Sequence, residues 1–274
     1  MRQLHRGTLP RRIVLPRASD WRSRMKMILT YHSIDASGSP ISIAPGIFRS
    51  HVSWLAESGH SVVPLHEIAA LPDDVDAIAL AFDDAFANFT EIAAPILFDA
   101  ALPATIFVVT DRAGMTNAWH AGADDGVPVL PLLRWDEIAA VAEAGIEIGA
   151  HTRSHPDLTR LSSADQLTDE IVGSGAEIER RTGRRPKSFA YPYGQISPDV
   201  TSVVRNAYQY GCTTEMRDLT SRDDRALIPR VDAWYFRRPG LLESWGTRRF
   251  TGYMRARALG RRVRRTLAGL GGTT

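Results

Sequence analysis

Cysteine is nearly absent from this chain. The single Cys212 excludes an intrachain disulfide framework and a Cys-rich zinc module. No apolar run reaches the ~18–20 residues that a membrane-spanning helix needs. No apolar stretch of ~7–15 residues follows Arg2, Arg6, Arg11 and Arg12, so no secretory-type signal is legible. Ile13–Leu15 is too short, and Pro16-Arg17 ends it. There is no internal repeat, no low-complexity segment and no histidine after His155. What remains is ordinary: 44% hydrophobic, 23% charged, 21 Gly and 16 Pro. That composition excludes disordered, collagenous and coiled-coil chains. The 274 residues suit one large domain or two small ones, and α/β barrels of ~250 residues form one.

Acid is missing from both ends. Residues 1–26 carry eight Arg/Lys and one acid, Asp20, and residues 248–265 carry eight Arg and none. Between them, 27–247 hold 17 basic and 30 acidic residues, a balance of −13 hidden inside a net charge of +2. An acidic body argues against nucleic acid as a partner. The basic ends read as solvated tails or as peripheral contact with an anionic membrane, where each Lys/Arg contributes ~1 kcal/mol. In the second end, Phe250, Tyr253 and Met254 share one stripe and Leu259, Val263 and Leu267 another. Gly252 and Gly260 weaken any single amphipathic helix there. The expected division is a basic extension outside the fold at 1–24, a barrel domain at 25–246 and an Arg-rich tail at 247–274. Met1, Met25 and Met27 are all candidate starts. The expected location is cytoplasmic, with peripheral attachment at the inner membrane face as its extension. Oligomeric state is left open.

The body alternates short apolar runs with amphipathic stretches. Strands are expected at Met27–Thr30, Ser61–Val63, Ala77–Phe82, Ala104–Val109, Ile146–Ala150 and Ser188–Ala190, with weak ones at Cys212–Thr214 and Leu227–Ile228. Helices are expected at Pro45–Ser58, after Asp83-Asp84 to about Ala100 with a disturbance at Pro95, at Trp135–Ala144, Ser162–Arg181 and Pro198–Tyr210. Residues 111–131 read as a loop. Repeated strand–helix alternation implies α/β architecture with a parallel sheet, open or closed into a barrel. Asp83-Asp84, His151 and Tyr193 each follow the carboxyl end of an expected strand, the end at which α/β barrels build their sites.

His151-Thr152-Arg153-Ser154-His155 is an H-x3-H element, and on a helical turn such a pair lies on one face and reaches one cation. Its bland reading is a polar loop. The bland reading of Asp83-Asp84 is a helix N-cap. Together, two His and a carboxylate make an open metal triad, and the second carboxylate is a candidate base. The chemistry implied is metal-assisted hydrolysis of an acyl bond. His51, His60, His66 and His120 read as structural. Trp119, Trp135, Trp234 and Trp245 are candidate sugar platforms that are more often core.

Ala81-Phe82-Asp83-Asp84 resembles the T-F-D-D motif of NodB-like polysaccharide deacetylases, carbohydrate esterase family four. His151–His155 matches that family's H-[ST]-x-x-H motif, and Phe189-Ala190-Tyr191-Pro192-Tyr193-Gly194 resembles its third. The resemblance covers roughly 27–235. It implies a distorted (β/α) barrel with seven or so parallel strands. It further implies Asp83 as catalytic base, Asp84, His151 and His155 as metal ligands, and Tyr193 as donor of a backbone N–H to an oxyanion hole. Zinc suits Asp/His₂, and cobalt, manganese or nickel fit similar ligands.

Two positions depart from the pattern. Ala85 stands where the motif continues with Gly, and Ala190 where the third motif often begins with Arg. That Arg orients the base, so Arg230 in Pro229-Arg230-Val231-Asp232 is the candidate replacement. With no late His for the general acid, Thr30-Tyr31-His32-Ser33-Ile34 supplies one. It resembles the Y-H-x-I segment of the family's permuted branch, which implies His32 as the acid. The expected activity is removal of N-acetyl groups from amino sugars of a polysaccharide, a glycan precursor or a lipid-linked saccharide. A deformylase or O-deacetylase on the same fold, and an inactive glycan-binding domain, are the alternatives.

Overall fold

A computed structural model describes residues 24–120 and 126–271, with side chains at 24–119 and 126–261. Apart from Arg24, the extension expected at 1–24 lies outside the described residues.

The chain opens with β1 (Lys26–Tyr31), buried throughout, and a short parallel pair, β2 (Ser33–Ile34) and β3 (Ser42–Ile43). Helix α1 (Pro45–Glu57) starts on a proline whose missing N–H costs nothing in a first turn, and it buries Phe48, Val52 and Leu55. After β4 (Ser61–Val62) and the one-turn α2 (Leu65–Ile68) comes β5 (Ala77–Phe82). The disturbance expected at Pro95 is a π-turn over Phe89–Ala93, directly before α3 (Ala94–Asp99). Proline lacks an amide and crowds the carbonyl four residues back, and a widened turn accommodates both. Then follow β6 (Thr105–Val108), α4 (Trp135–Glu143) and β7 (Glu147–Ala150).

The helix expected over Ser162–Arg181 is two helices. Ser163 caps α5 (Ala164–Thr168), a π-turn over Asp169–Gly173 follows, and α6 (Ser174–Thr182) stops at left-handed Gly183. The chain continues through β8 (Ser188–Ala190), α7 (Pro198–Ala207), β9 (Tyr210–Cys212), β10 (Val231–Asp232) and α8 (Arg248–Gly271).

All main-sheet strands are parallel, in the order β10-β1-β5-β6-β7-β8-β9, with β4 paired to the first half of β5. This is the distorted, seven-stranded (β/α) barrel expected. No ladder joins β9 to β10; a single Cys212–Ile228 bridge spans the seam. The weak strands expected there are corrected. Leu227–Ile228 supplies only that bridge, and Cys212–Thr214 shifts back to Tyr210–Cys212. Gly211 explains the tight seam, since a Cβ there would come within 2.4 Å of the Ala226 carbonyl oxygen.

Alternation sends every second side chain of the central strands into the barrel. Ile28 of β1, Ala77, Ala79 and Ala81 of β5, Phe107 of β6, Ala190 of β8 and Cys212 of β9 form an inner cluster. The opposite faces of β1 and β5, including Leu29, Tyr31, Leu80 and Phe82, pack in the larger outer core. Continuing the inward alternation past the strand ends lands on His32, Asp83 and His151. The geometry of the barrel therefore aims these three at one mouth.

The Arg-rich segment expected as a tail from residue 247 begins as folded structure. Phe250 and Met254, one helical turn apart, are buried in the outer core. Their stripe is thus occupied by the protein itself. No helix among the described residues is long and apolar enough to cross a membrane.

Candidate metal centre and catalytic site

Asp83 follows β5 and is 4% exposed. Arg230, 2% exposed, precedes β10 and grips it with a fork: Nη1 donates to Oδ1 at 2.6 Å and Nη2 to Oδ2 at 3.0 Å. The guanidinium is itself held by Nε donating to the Thr213 carbonyl at 3.2 Å, over the face of Phe107 at 5.1 Å. Gly149 makes that stack possible, since a Cβ there would meet Phe107 at 2.5 Å. The orienting arginine thus comes from the β10 side, and Ala190 on β8 contributes only a small buried side chain. Burial pushes the Asp83 carboxyl up, but Arg230, His151 and His32 outweigh it and bring it down to about 2.

Asp84, His151 and His155 converge beside it, all buried, with one ligand atom of each within 4.8 Å of the others. Asp84 Oδ1 lies 3.5 Å from both His151 Nε2 and His155 Nε2. Donors ~2.1 Å from a tetrahedral ion stand roughly 3.4 Å apart, so these separations fit one. The donor chemistry fits as well. His151 Nδ1 donates to the Ala190 carbonyl at 2.8 Å, which fixes the tautomer. In the neutral ring, Nε2 is then a bare acceptor aimed at a carboxylate, an arrangement that a cation between them resolves.

The expected helical turn for H-x3-H is corrected. Residues 151–155 form a loop in which Thr152 (φ 67°) and His155 (φ 65°) are left-handed. Thr152 Oγ1 accepts the His155 N–H at 2.9 Å. Glu170, on the π-turn between α5 and α6, accepts the Arg153 and Ser154 N–H groups at 2.8 and 3.0 Å, and the Ser154 hydroxyl. The π-turn that interrupts the long helix carries this clamp, and nothing in the local sequence of the motif announces it.

His32 Nε2 lies 3.9 Å from Asp83 Oδ2, across from the arginine fork. Asp232, which sequence reasoning passed over, adds negative charge near His32 and accepts the Trp234 N–H at 2.8 Å. Burial raises the Asp232 carboxyl despite His32, and Asp83 adds to the rise. Tyr193 is left-handed (φ 59°) and 44% exposed, with its hydroxyl 3.2 Å from His155 Nδ1. Gly194 follows at φ 68°, where a Cβ would fall 2.1 Å from Thr214 Oγ1, so this turn admits only glycine. Trp119 stacks on His155 with ring centroids 4.6 Å apart. Of the other tryptophans, Trp245 is core, Trp135 lies under Arg181 and Trp234 under Arg237.

Residues 71–211 match the family model for polysaccharide deacetylases. YxkH of Bacillus subtilis is 26% identical over 194 residues, which cover 69% of this chain and 64% of that protein, just under two thirds of its length. The poly-beta-1,6-N-acetyl-D-glucosamine N-deacetylase of Staphylococcus epidermidis is 25% identical over 203 residues, 69% of this chain and 67% of that one. Among solved structures, IcaB from Ammonifex degensii superposes with TM-score 0.65 at 21% identity, covering 78% of this chain and 95% of that one. The Streptococcus pyogenes deacetylase PplD, solved with acetate, gives 0.64 at 21% identity, covering 76% and 92%. The structural likenesses establish the shared barrel, and because the model match takes in just over half of the residues, from before β5 through β9, this chain belongs to the polysaccharide deacetylase family.

Proposed function

We propose that this protein is a metal-dependent hydrolase that removes N-acetyl groups from amino sugars of a polysaccharide or lipid-linked glycan precursor. The observation that carries the reading is the placement of an arginine-held carboxylate, Asp83, directly beside the Asp84–His151–His155 donor set. The staphylococcal relative, named for N-deacetylation of a β-1,6-linked N-acetylglucosamine polymer, supports the substrate class.

Arg230 keeps Asp83 ionised, which a proton acceptor requires, and fixes both carboxylate oxygens in space. The same grip makes Asp83 a weak base. When bound by Asp84, His151 and His155, a divalent ion, zinc by donor type with cobalt, manganese or nickel as substitutes, supplies a Lewis acid that acidifies water and polarises an acyl carbonyl. Asp83 takes the proton of the attacking water. The Tyr193 N–H, held in its left-handed turn, faces the developing oxyanion, a contact type worth several kcal/mol. His32, whose Nε2 lies 3.9 Å from Asp83 Oδ2, gives its proton to the departing amine. The exposed arginines Arg248, Arg255 and Arg257 of α8 support peripheral contact with an anionic surface, by charge alone.

The test is acyl release from a panel of N-acetylated chitooligosaccharides and lipid-linked saccharides by the metal-loaded protein. Acetate release that disappears with chelator supports the reading. Formate release or ester hydrolysis alone would move the activity to another acyl group, and no release with metal bound would leave a glycan-binding domain.

A further inference from the structure

The first turns of α8 form one wall of a cavity at the end of the barrel where the chain leaves β10. Its volume is about 380 Å³, within the ~300–1,000 Å³ range of ligand pockets, and its lining includes Tyr235, Arg237, Arg238, Arg249, Tyr253 and Arg257. Every charged side chain in that lining is an arginine. Glu243 is the only acid between residues 237 and 261, against seven arginines.

Aromatic faces hold arginines elsewhere too, as Arg230 lies over Phe107 and Arg181 over Trp135, but those arginines also meet carboxylates. Elsewhere, arginines meet carboxylates: Arg153 with Asp111 and Asp169, Arg205 with Asp224, Arg217 with Asp223 and Arg230 with Asp83. In the pocket, Arg237 and Arg257 lie on aromatic faces. Arg237 stacks on Trp234 at 3.5 Å, and Arg257 lies over Tyr235 and Tyr253 at 5.9 and 5.3 Å. The aromatic wall is fixed, because Tyr253 donates its hydroxyl proton to the Tyr235 carbonyl at 2.5 Å. Arg261 extends the stripe 249, 253, 257 by one more turn, donating to the Tyr235 hydroxyl at 3.3 Å and to the Thr214 carbonyl at 3.1 Å. Stacking covers one face of a guanidinium and leaves its N–H edge for an acceptor, and several such edges around one cavity match the oxygens of a phosphate.

We propose that this pocket binds a phosphate or pyrophosphate group, carried either by a glycosyl phosphate or by a lipid headgroup. Arg261 links it to the site, since it bonds the backbone of Thr214, whose side chain packs against Gly194. A role in presenting a phosphorylated acceptor to the metal centre rests on the deacetylase reading; the binding itself does not.

The experiment is calorimetric titration of inorganic pyrophosphate into the full chain, into an Arg237→Gln/Arg257→Gln variant and into Asp84→Asn. Both arginines are exposed, so the double variant is expected to melt as the wild type does. A single site weakened at least tenfold by the arginine changes and preserved in Asp84→Asn is expected. Absent binding, equal binding in the double variant, or binding abolished by Asp84→Asn overturns the proposal, the last by placing the anion on the triad. Arg249→Gln, two turns before Arg257 on the α8 wall, gives an independent repeat. Vesicles of phosphatidylcholine with phosphatidylglycerol then name the source. Sedimentation lost in the double variant assigns a lipid headgroup, and sedimentation equal in both proteins assigns a glycosyl or free phosphate. Because calorimetry needs no turnover, an inactive protein would sink the deacetylase reading and leave the pocket standing.

Discussion

Glu147 enters the base of the barrel at the first residue of β7, and His151 leaves the mouth at the other end of the same strand. Both are ionisable residues packed among other polar groups. At the base, partners satisfy each other: Glu147 accepts from the Thr105 hydroxyl at 3.1 Å and lies 3.1 Å from His66 Nδ1, and Lys26 Nζ reaches Asp73 at 2.9 Å and the Leu71 carbonyl at 2.6 Å. At the mouth, Asp84 Oδ1 stands 3.5 Å from the Nε2 atoms of both His151 and His155. The backbone differs too. Of six left-handed residues other than glycine among the described residues, Asp84, Ala85, Thr152, His155 and Tyr193 line the mouth, and the sixth, Ala101, ends α3. Such a conformation costs ~1–2 kcal/mol per residue. Polarity alone therefore does not mark the site; polar groups brought together by a strained backbone do.

The largest expected effect is at the triad. His155→Ala and Asp84→Ala should remove bound divalent metal and reduce activity to background while the far-UV spectrum stays that of the wild type. Full metal occupancy by elemental analysis in His155→Ala would erase the distinction between the two ends. Next comes His32. His32→Ala should keep its metal and lose ~10²–10⁴ in kcat on an amide, the range for a general acid. Its basic limb in the pH profile should vanish. A near wild-type rate would return His32 to the class of His51, a buried residue 3.0 Å from the Tyr31 hydroxyl and 3.1 Å from the Phe236 carbonyl oxygen.

Removing one partner of a polar contact at each end sharpens the contrast. Arg230→Met leaves Asp83 buried without its partner, and breaking a buried pair this way costs ~3–5 kcal/mol. The sign is fixed by the direction of the shift. Asp83 is held at about 2, below its ordinary 3.8, so its contribution to stability is present above 3.8 and lost as pH falls through 2. Without Arg230, burial dominates, the carboxyl rises, and the acid limb of kcat/KM moves to higher pH. Glu147→Gln at the base should cost ~1–3 kcal/mol and leave that limb where it is. An acid limb unmoved in Arg230→Met would show that Asp83 does not titrate in the rate profile.

These residues were unequally legible. Asp83 and His151 stand out because each ends an apolar run, and inward alternation makes their convergence physical. Arg230 could be nominated only because Ala190 left a partner missing, since nothing in Pro229-Arg230-Val231-Asp232 says that its side chain crosses the barrel. Asp232 was passed over for the same reason. Left-handed Thr152 and His155 are invisible in H-x3-H, where spacing favours a helix, and Glu170 acts from 16 residues downstream. At α8, Gly252 and Gly260 argued against a helix. The core contact of Phe250 and Met254 outweighs them, a tertiary term that propensity does not contain.

The smallest effect tests whether strain at the mouth does anything that strain at the base does not. Ala85 (φ 57°) and Ala101 (φ 52°) are the same residue in nearly the same conformation. Glycine adopts it freely, which removes ~1–2 kcal/mol of strain, and returns ~0.5–1 kcal/mol through the greater freedom of the unfolded chain. Both Ala85→Gly and Ala101→Gly should therefore gain up to ~1 kcal/mol and melt slightly higher. Their metal affinities should part. Ala85 directly follows Asp84, the proposed ligand, and its carbonyl accepts the Leu133 N–H at 2.8 Å, so the stiff residue fixes the turn that aims the carboxylate. Freeing that turn should weaken divalent metal binding by a few-fold, read by competition with a chromogenic chelator, while Ala101→Gly binds as the wild type does. Equal affinity in the two variants would reduce the strained mouth to a by-product of tight turns.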